Sequence, residues 1–453
     1  MVRGVDKRTD AQFLVDSHGC SLASYICVML MVHCGPTGFG RRKPTYFRDE
    51  SRTSPITGVD LLCQRTKGKV GLLRLVDLKW WFMKKDVLKI TAKTEDRWKL
   101  HLDRRGEELC RVELVRERLR IGRALITTGG VAGLHTPHDR RREGHARRLM
   151  EASHRFLREQ GCSIALMNAI PGFYHRFGYD VVFPVYRLFV ETDNLLQTRR
   201  QHGVRRALVD EQPALVRLYN QCNRYRTGTL VRPADWRFDR LVNYGRPPGT
   251  LLLAEDQRGR VTGYALCRPR GDRYLVQELN GRSHVAFESL ANAIGTRARR
   301  AGFERVHFRM PLDHPFGNFC SRLGCAWEIQ YHVNAEDMGR VLDVPRFLLE
   351  LRSEWGFRLR NAMKTANVRL WFVTDTGEAG LQVERGRIRR SKRRHPDAHE
   401  VTIPQAALLQ LVLGYRTVDD VAGSPNVRMP VSVKPVMDVL FPQTPATMPM
   451  IAI

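Results

Sequence analysis

The feature that most constrains the fold is a short pattern that occurs twice in the chain. The first copy, FYHRFGY, spans residues 173–179, and the second, FCSRLGC, spans residues 319–325. Both copies keep Phe, Arg and Gly at the same spacing, and each follows a segment with helical spacing that ends at Gly161 or Gly302. A pattern that recurs at about one domain length predicts two similar units in tandem.

The length and the charge of the chain set the next limits. The 453 residues allow roughly three domains of about 150 residues each. The composition, with 43% hydrophobic and 27% charged residues, is typical of a globular protein rather than a disordered one. The net charge of +28 needs an explanation of its own. Because the arginines are spread over all later segments, we expect a distributed surface charge and not one nucleic-acid site.

The ten cysteines and one apolar stretch bear on the cellular compartment. No CxxC pair and no His/Cys cluster at zinc spacing occurs, so we expect reduced thiols and no metal. The apolar stretch SLASYICVMLMVH, residues 21–33, is shorter than the roughly 20 residues that span a bilayer. The sequence therefore predicts a cytoplasmic protein without a membrane partner.

Several strands are predicted ahead of the first copy of the pattern. Residues 98–102 and 109–115 are predicted to form a β-hairpin around the turn at 103–106, and a further strand covers 125–134. Residues 1–55 are rich in glycine and proline and show no clean periodicity, so they stay unassigned.

A basic, glycine-containing turn follows the strand at 125–134 and leads into a helix. Arg141 and Arg142 supply positive charge, and Gly144 and Ala146 have little bulk. A helix N-terminus presents unpaired N–H groups and a partial positive charge, which together favour an anion such as phosphate. A solvated basic turn at the start of a helix is the alternative interpretation.

This turn, followed by a strand at 163–167 and by FYHRFGY, resembles the GNAT superfamily of acetyl-CoA-dependent N-acetyltransferases. The resemblance implies that the turn holds the pyrophosphate of the cosubstrate acetyl-CoA and that the preceding strand pairs with its pantetheine arm. Asn168 is a candidate hydrogen-bond partner of the pantetheine amide, or simply a strand-end residue. The implied cofactor-binding residues are Gly133, Leu134, His135, Arg141, Arg142, Gly144, His145, Ala146 and Asn168.

The second copy has lost the features that a cofactor needs. Val285 stands where the first copy has Gly144, and Phe287 stands in place of Ala146. Their side chains would occupy the space of a pyrophosphate, and Cys320 replaces the tyrosine of the first copy. We therefore expect a degenerate unit that binds no cofactor.

The third segment begins at about residue 338. A helix-like stretch, VPRFLLELRSEW, precedes strands near 368–373 and 380–383, the helix PQAALLQLVLGYR and a proline-rich tail. Together with the phrases RTGTLVRPADW and VLFPQTP, this order resembles the enhanced intracellular survival (Eis) family over residues 98 to 453.

The resemblance implies an α/β (α+β) fold with two tandem GNAT (acyl-CoA N-acyltransferase) units and a sterol-carrier-like α/β domain. The implied boundaries are an unassigned segment at 1–55, a catalytic GNAT domain at 56–185, a degenerate GNAT domain at 186–337, and the sterol-carrier-like domain with its tail at 338–453.

The chemistry of acetyl transfer requires a proton donor for the thiolate and an acceptor for the amine proton. The resemblance assigns the donor to Tyr174, whose alternative role is packing under the coenzyme. The strand at 125–134 contains no carboxylate, and the family uses the C-terminal carboxylate as the base, here that of Ile453. A disordered tail is the alternative for Ile453. The other candidate bases, more readily explained as surface or coenzyme contacts, are His135, His138, His145 and His175.

The resemblance implies acetylation of a primary amine, such as an aminoglycoside, another small amine or a peptide amine, by a homo-oligomer, commonly a hexamer. A non-catalytic protein that binds lipid or nucleic acid is the alternative. The basic run at 387–395 is predicted to be an exposed hairpin loop. Because no base-stacking or groove-reading motif accompanies it, we expect no specific nucleic-acid partner.

Overall fold

A computed structural model describes residues 86–243 and 247–448 of the chain. The described residues form the mixed α/β fold that the sequence predicts, and their strands lie in three sheets. They divide into two compact units. The first comprises residues 86–91, 99–111 and 135–149, and the second comprises the remainder. The predictions for residues 1–55 and for Ile453 lie outside the described residues.

The first unit contains a β-hairpin and the start of a helix. Strands β1 (Val87–Thr94), β2 (Arg97–Arg104) and β3 (Glu107–Ile121) follow one another in the sheet. The turn between β2 and β3 places Arg105 and Gly106 at φ 55° and 87°, a left-handed conformation that glycine adopts most readily. The predicted hairpin is therefore confirmed, with strands longer than the sequence pattern indicated.

The second unit begins with the sheet that leads to the candidate site. In it, β3 is followed by β4 (Ala124–His135), β5 (Ile164–Ala169), β15 (Glu336–Val341) and β6 (Asp180–Val181). Strand β9 (Thr229–Leu230) pairs with β3. Helix α1 (His145–Glu159) connects β4 to β5, which run parallel. A parallel pair needs a crossover connection of this kind.

A second sheet of the same unit repeats this arrangement. Its strand order is β14 (Ala326–Gln330), β7 (Val185–Glu191), β13 (Arg305–Phe308), β12 (Arg273–Gly281), β11 (Val261–Arg270), β10 (Thr250–Glu255) and β8 (Gly203–Arg206). The accompanying helices are α2 (Thr192–Leu196), α3 (Gln212–Cys222), α4 (Asp239–Asn243), α5 (His284–Arg300) and α6 (Pro315–Cys320). Here α5 connects β12 to β13, which also run parallel.

The two sheets exchange strands. β7 follows the first sheet in sequence but lies between β14 and β13 of the second sheet. β15 follows the second sheet in sequence but pairs with β5 and β6 of the first. The predicted domain boundaries at 185/186 and 337/338 stay predictions. β15 lies mostly after the second boundary, yet it pairs with β5 and β6, which lie before the first boundary.

A third sheet is formed by four strands between residues 367 and 402. Its order is β18 (Arg387–Ser391), β17 (Gly377–Glu384), β16 (Asn367–Thr374) and β19 (His399–Thr402). Its helices are α7 (Val344–Glu350), α8 (Arg352–Ala362), α9 (Gln405–Leu413), α10 (Val418–Ala422) and α11 (Lys434–Leu440). One apolar core joins Leu166 of the first sheet to Leu370 and Leu408.

The basic run at 387–395 differs from its prediction. Its first five residues are strand β18, which pairs with β17 from Arg387↔Glu384 to Ser391↔Gly380, and only the remainder is a loop. Ile388 packs on the core and so fixes the register of an otherwise polar strand. Among all the described helices, none combines the length and the hydropathy needed to cross a membrane.

Candidate active site

The basic turn lies in the first unit, directly before α1. Gly144 has φ 84°, and a Cβ atom placed on it would meet no atom within 4 Å. The first helical hydrogen bond runs from the Arg148 amide to the Gly144 carbonyl at 3.2 Å. This bond marks Gly144 as the residue at which the helix begins. The turn therefore offers an anion open space beside Gly144 and a helix N-terminus.

The three arginines of the turn have different surroundings. Arg140 donates through Nη2 to both carboxylate oxygens of Glu107, at 2.8 and 2.9 Å. Arg141 donates from Nε to the Thr136 carbonyl at 3.3 Å and is exposed. Arg142 is exposed and has φ 69°. Glu107 thus neutralises the first arginine, and the charge left at the turn belongs to Arg141 and Arg142.

His145 is buried inside the first unit at the start of α1. Its Nε2 lies 3.1 Å from Glu143, and its Nδ1 lies 3.8 Å from Asp86. Burial raises the pKa of Asp86, but hydrogen bonds from Arg104 and Arg148 outweigh burial and lower it. The structure therefore places His145 within a charged cluster of the first unit. Asp86 was missed from the sequence, because nothing in the pattern linked it to the turn.

In the second unit, β4 and β5 pair over only three residues each. The pairs join Thr128–Gly130 to Ile164–Leu166, after which β4 continues through Leu134 and β5 through Ala169. Gly133 has φ 61°, a backbone conformation that favours glycine. The two strands therefore part at their C-terminal ends. In a regular sheet, the backbone N–H and C=O groups there would pair with each other, and here they are left for another partner.

Tyr174 begins a 3-10 turn, Tyr174–Phe177, that follows β5. Its half-buried ring lies edge-on to Phe173 at a centroid distance of 4.9 Å and is 6.3 Å from the ring of Tyr179. The turn ends at Gly178, whose φ of 78° explains why the pattern has a glycine there. The aromatic neighbours restrict the ring, which is compatible with either predicted role.

A buried polar group lies behind this turn. The Nε2 atom of His154 is 3.1 Å from the Tyr179 hydroxyl, and Arg340 on β15 donates to the Phe177 carbonyl. Burial, together with the charge of Arg340, lowers the pKa of His154 to about 3. His154 is therefore neutral at physiological pH and braces the turn.

The end of β5 carries an acidic group that sequence reasoning missed. Asn168 donates from Nδ2 to Oδ1 of Asp337 at 2.9 Å and to Oε2 of Glu336 at 3.1 Å. Asp337 is 1% exposed and lies 3.6 Å from Arg309, and burial raises its pKa despite that guanidinium. Strand exchange places these carboxylates on β15, next to β5, although they are far from β5 in sequence.

The loop that carries Tyr174 is tied to the start of β15. The Gly172 amide donates to the Asn334 carbonyl at 2.8 Å. Tyr174 follows Gly172 by two residues, and the acidic pair follows Asn334 by two and three residues. This hydrogen bond therefore connects the two segments that carry them. In the sequence, the only available signal was that two acidic residues stand next to each other at 336 and 337.

The corresponding opening in the second sheet is filled. β12 and β13 also pair over only three residues, from Tyr274↔Val306 to Val276↔Phe308. A Cβ atom on Gly281, at the end of β12, would lie 2.7 Å from the ring of Phe287. That ring packs against Phe316 at a centroid distance of 5.5 Å. Aromatic side chains take up the volume beside β12, in line with the predicted loss of the cofactor site.

The remaining candidate bases lie at the surface. His135, His138 and His175 are exposed, and Asn168 is also exposed. Within residues 86–243 and 247–448, no three His, Cys, Asp or Glu side chains are grouped so that they could hold a metal ion.

Comparison with known families identifies the segment that contains these features. Residues 85–182 match the acetyltransferase (GNAT) domain family. This segment is similar to a GNAT domain and is named the GNAT-type domain for that reason. It includes the turn, the parted strands β4 and β5, and Tyr174, whereas β15 lies outside it. Comparison with curated protein sequences finds no match.

Solved structures share the fold at low sequence identity. A probable N-acyltransferase of unknown function from Enterococcus faecalis has 15% identity and a TM-score of 0.62, covering 77% of this chain and 86% of its own. A GCN5-related N-acetyltransferase from Kribbella flavida has 18% identity and a TM-score of 0.59, with coverage of 77% and 85%. Eis1 from Mycobacterium abscessus has 17% identity and a TM-score of 0.55, with coverage of 78% and 89%. These likenesses extend well beyond the GNAT-type domain.

Proposed function

We propose that this protein is an acetyl-CoA-dependent N-acetyltransferase that transfers an acetyl group to a primary amine. The observation that carries the proposal is the parting of β4 and β5 inside the segment that matches the GNAT family. Unpaired backbone groups along two diverging strands suit an extended ligand that contains amides, because such a ligand can satisfy them as a further strand would.

The proposed cofactor contacts are those that the family resemblance implies. The amides of Gly144, His145 and Ala146 and the charges of Arg141 and Arg142 would hold the pyrophosphate. Gly133, Leu134, His135 and Asn168 are proposed for the pantetheine arm. The open space at Gly144 fits a close approach of phosphate to the backbone. Acetyl-CoA, when bound, supplies the activated acetyl group as a thioester.

Acetyl transfer then requires two proton movements. The amine nitrogen attacks the thioester carbonyl, a C–N bond forms, and the C–S bond breaks. Tyr174 is proposed to give its phenolic proton to the departing thiolate, since a phenol with a pKa near 10 is protonated at neutral pH. The amine proton goes to a carboxylate, for which the described residues supply Glu336 and Asp337. From the family resemblance, the carboxylate of Ile453 is also proposed as the base that accepts this proton.

The finer proposals follow the Eis resemblance. They comprise a catalytic first GNAT unit, a degenerate second one, a sterol-carrier-like third domain, an aminoglycoside, other small amine or peptide amine as acceptor, a homo-oligomeric and commonly hexameric assembly, and a cytoplasmic location. The likeness of the fold to Eis1 supports this organisation. The phenylalanines beside β12 support the degenerate character of the second unit.

Ligand-dependent stability tests the cofactor proposal. We expect acetyl-CoA to raise the melting temperature of the full chain, because a ligand that binds only the folded state stabilises it. Gly144→Phe should remove that shift by filling the open space at the turn. Gly259→Phe is the matched control, since Gly259 also has a positive φ of 69° and no atom within 4 Å of a Cβ. It should keep the shift.

Thiol release from acetyl-CoA across aminoglycosides, polyamines, peptides and arylamines tests the reaction itself. Activity with at least one amine, absent in the Gly144 variant, is the expected result. An unchanged melting temperature of the wild type at millimolar acetyl-CoA would contradict the proposed function.

A further inference from the structure

A strongly charged surface lies far along the chain from the GNAT-type domain, in the third sheet. We define the basic edge as residues 387–394, which comprise strand β18 and the first residues of the following loop. Six of these residues are Arg or Lys. All six are exposed, namely Arg387, Arg389, Arg390, Lys392, Arg393 and Arg394. β18 is the terminal strand of its sheet, so one of its sides has no strand neighbour.

Two acidic residues near the basic edge already have partners, and a third, Glu384, lies opposite Arg387 in the ladder between β17 and β18. Glu400 accepts from Arg394 at 2.5 Å, and Asp397 pairs with both Arg369 and His395. In the described part of the chain, no carboxylate forms an ion pair with the other five cations of the edge. On the neighbouring helix α8, Arg360 donates to the Gly386 carbonyl at 3.2 Å and adds a further exposed guanidinium.

Protection of an edge strand accounts for only part of this charge. One or two charged residues are enough to keep an edge from pairing with another chain. Here the cations continue past Ser391 into a loop that has no edge to protect. Five neighbouring unpaired cations repel one another, and that cost is offset when a polyanion covers them.

The chemistry and spacing favour phosphate as the partner. Arg387 and Arg389 point to the same side of β18 and lie about 6.7 Å apart. Successive phosphates of one duplex strand advance by about 3.4 Å along the helix axis but lie farther apart through space, because the backbone winds around that axis. Two arginines on one side of β18 therefore suit neighbouring phosphates of a strand. Arginine also binds phosphate through two parallel hydrogen bonds.

The aromatic residues argue for backbone recognition rather than base reading. In the third sheet, Trp371 and Phe372 are buried, and Trp371 donates its Nε1 proton to Glu378. The basic edge itself contains no aromatic residue that could stack on an unpaired base. An acidic peptide added to β18 would pair only with the strand and would leave Lys392 and Arg393 uncovered.

We infer that the basic edge binds the phosphate backbone of double-stranded nucleic acid without sequence preference. This binding is separate from the proposed acetyl transfer. It agrees with the absence of a sequence-reading motif, because backbone contacts carry no sequence information. Engaging four or five phosphates gives a strong salt dependence, which makes the inference testable.

The experiment measures binding of the full chain to a fluorescent 20-base-pair duplex at 50 to 200 mM salt. We expect the affinity to fall roughly 150- to 500-fold over this range, as neutralising four or five phosphates requires. The variant Arg387→Ser/Arg389→Ser/Arg390→Ser/Arg393→Ser should bind at least tenfold more weakly at 100 mM salt and show a shallower salt slope. A duplex of unrelated sequence should bind equally well.

The matched control removes the same charge elsewhere, through Arg199→Ser/Arg217→Ser/Arg300→Ser/Arg322→Ser, at four exposed arginines. It should weaken binding less than twofold, and both variants should keep the wild-type melting temperature. Equal weakening by both variants would overturn the inference, because net charge alone would then explain binding. Polyglutamate that competes as well as the duplex at equal charge would also overturn it, in favour of an acidic protein partner.

Discussion

Single residues show where sequence reasoning succeeded and where it stopped. Gly144 was singled out for its lack of bulk, and the structure adds a positive φ and open space beside it. Arg140 belongs to the same basic turn, yet Glu107 holds it through two hydrogen bonds. Backbone requirements at a turn can be inferred from local sequence, whereas an ion-pair partner such as Glu107 depends on which distant residues the fold brings together.

Tyr174→Phe tests the proton donor. Loss of general acid catalysis costs typically 10²- to 10⁴-fold, so we expect kcat to fall within that range. The ring contacts with Phe173 and Tyr179 do not need the hydroxyl, so the acetyl-CoA-induced melting shift should persist. Steady-state kinetics and thermal melts check both expectations. A variant with unchanged kcat would assign Tyr174 a packing role only.

Elements were predicted best where the apolar pattern is local. The hairpin, β4, α1 and β5 all lie near their predicted positions, with ends shifted by a few residues. The predicted loop at 387–395 was wrong for its first five residues, which form β18. Composition indicated a loop, and the single half-buried residue Ile388 was too weak a signal for a strand. β15 was not predicted as a strand of the first sheet, because nothing in a local pattern shows which distant edge a strand will join.

The position of β15 leads to a prediction about Asp337. Asp337→Asn should lower kcat/KM for the amine, whereas Glu336→Gln provides a comparison at the adjacent carboxylate. Because burial raises the pKa of Asp337, the wild type should lose activity as the pH falls through that raised pKa, and the variant should lack this decline.

Rates measured from pH 5 to pH 8, together with rates for a chain lacking its last four residues, separate the candidate proton acceptors. If the truncated chain alone is impaired, the base is the Ile453 carboxylate. If both Asp337→Asn and the truncated chain keep the wild-type profile, neither carboxylate accepts the proton.

At the scale of the whole molecule, a buried histidine predicts how stability depends on pH. Burial lowers the pKa of His154 from 6.5 to about 3. Between these values the unfolded chain binds a proton that the folded chain does not, so stability falls as the pH falls through this window. The loss is at most about 1.4 kcal/mol per pH unit.

His154→Gln removes the titrating group and should make the free energy of unfolding less dependent on pH. Urea unfolding at pH 7 and pH 5 measures the difference. His175→Gln, at an exposed position, should follow the wild-type curve. Parallel curves for the wild type and His154→Gln would show that His154 takes up its proton equally in the folded and unfolded states.

The exchange of β7 and β15 has a consequence for the life of the chain on the ribosome. One edge of β5 stays without its partner until Val341 has been synthesised and has left the exit tunnel. At 5–20 residues per second, the wait from Ala169 to Val341 is roughly 10–30 s. A nascent chain of this protein therefore carries an open, apolar sheet edge for more than a third of its synthesis, and its yield should depend on chaperones that shield that edge.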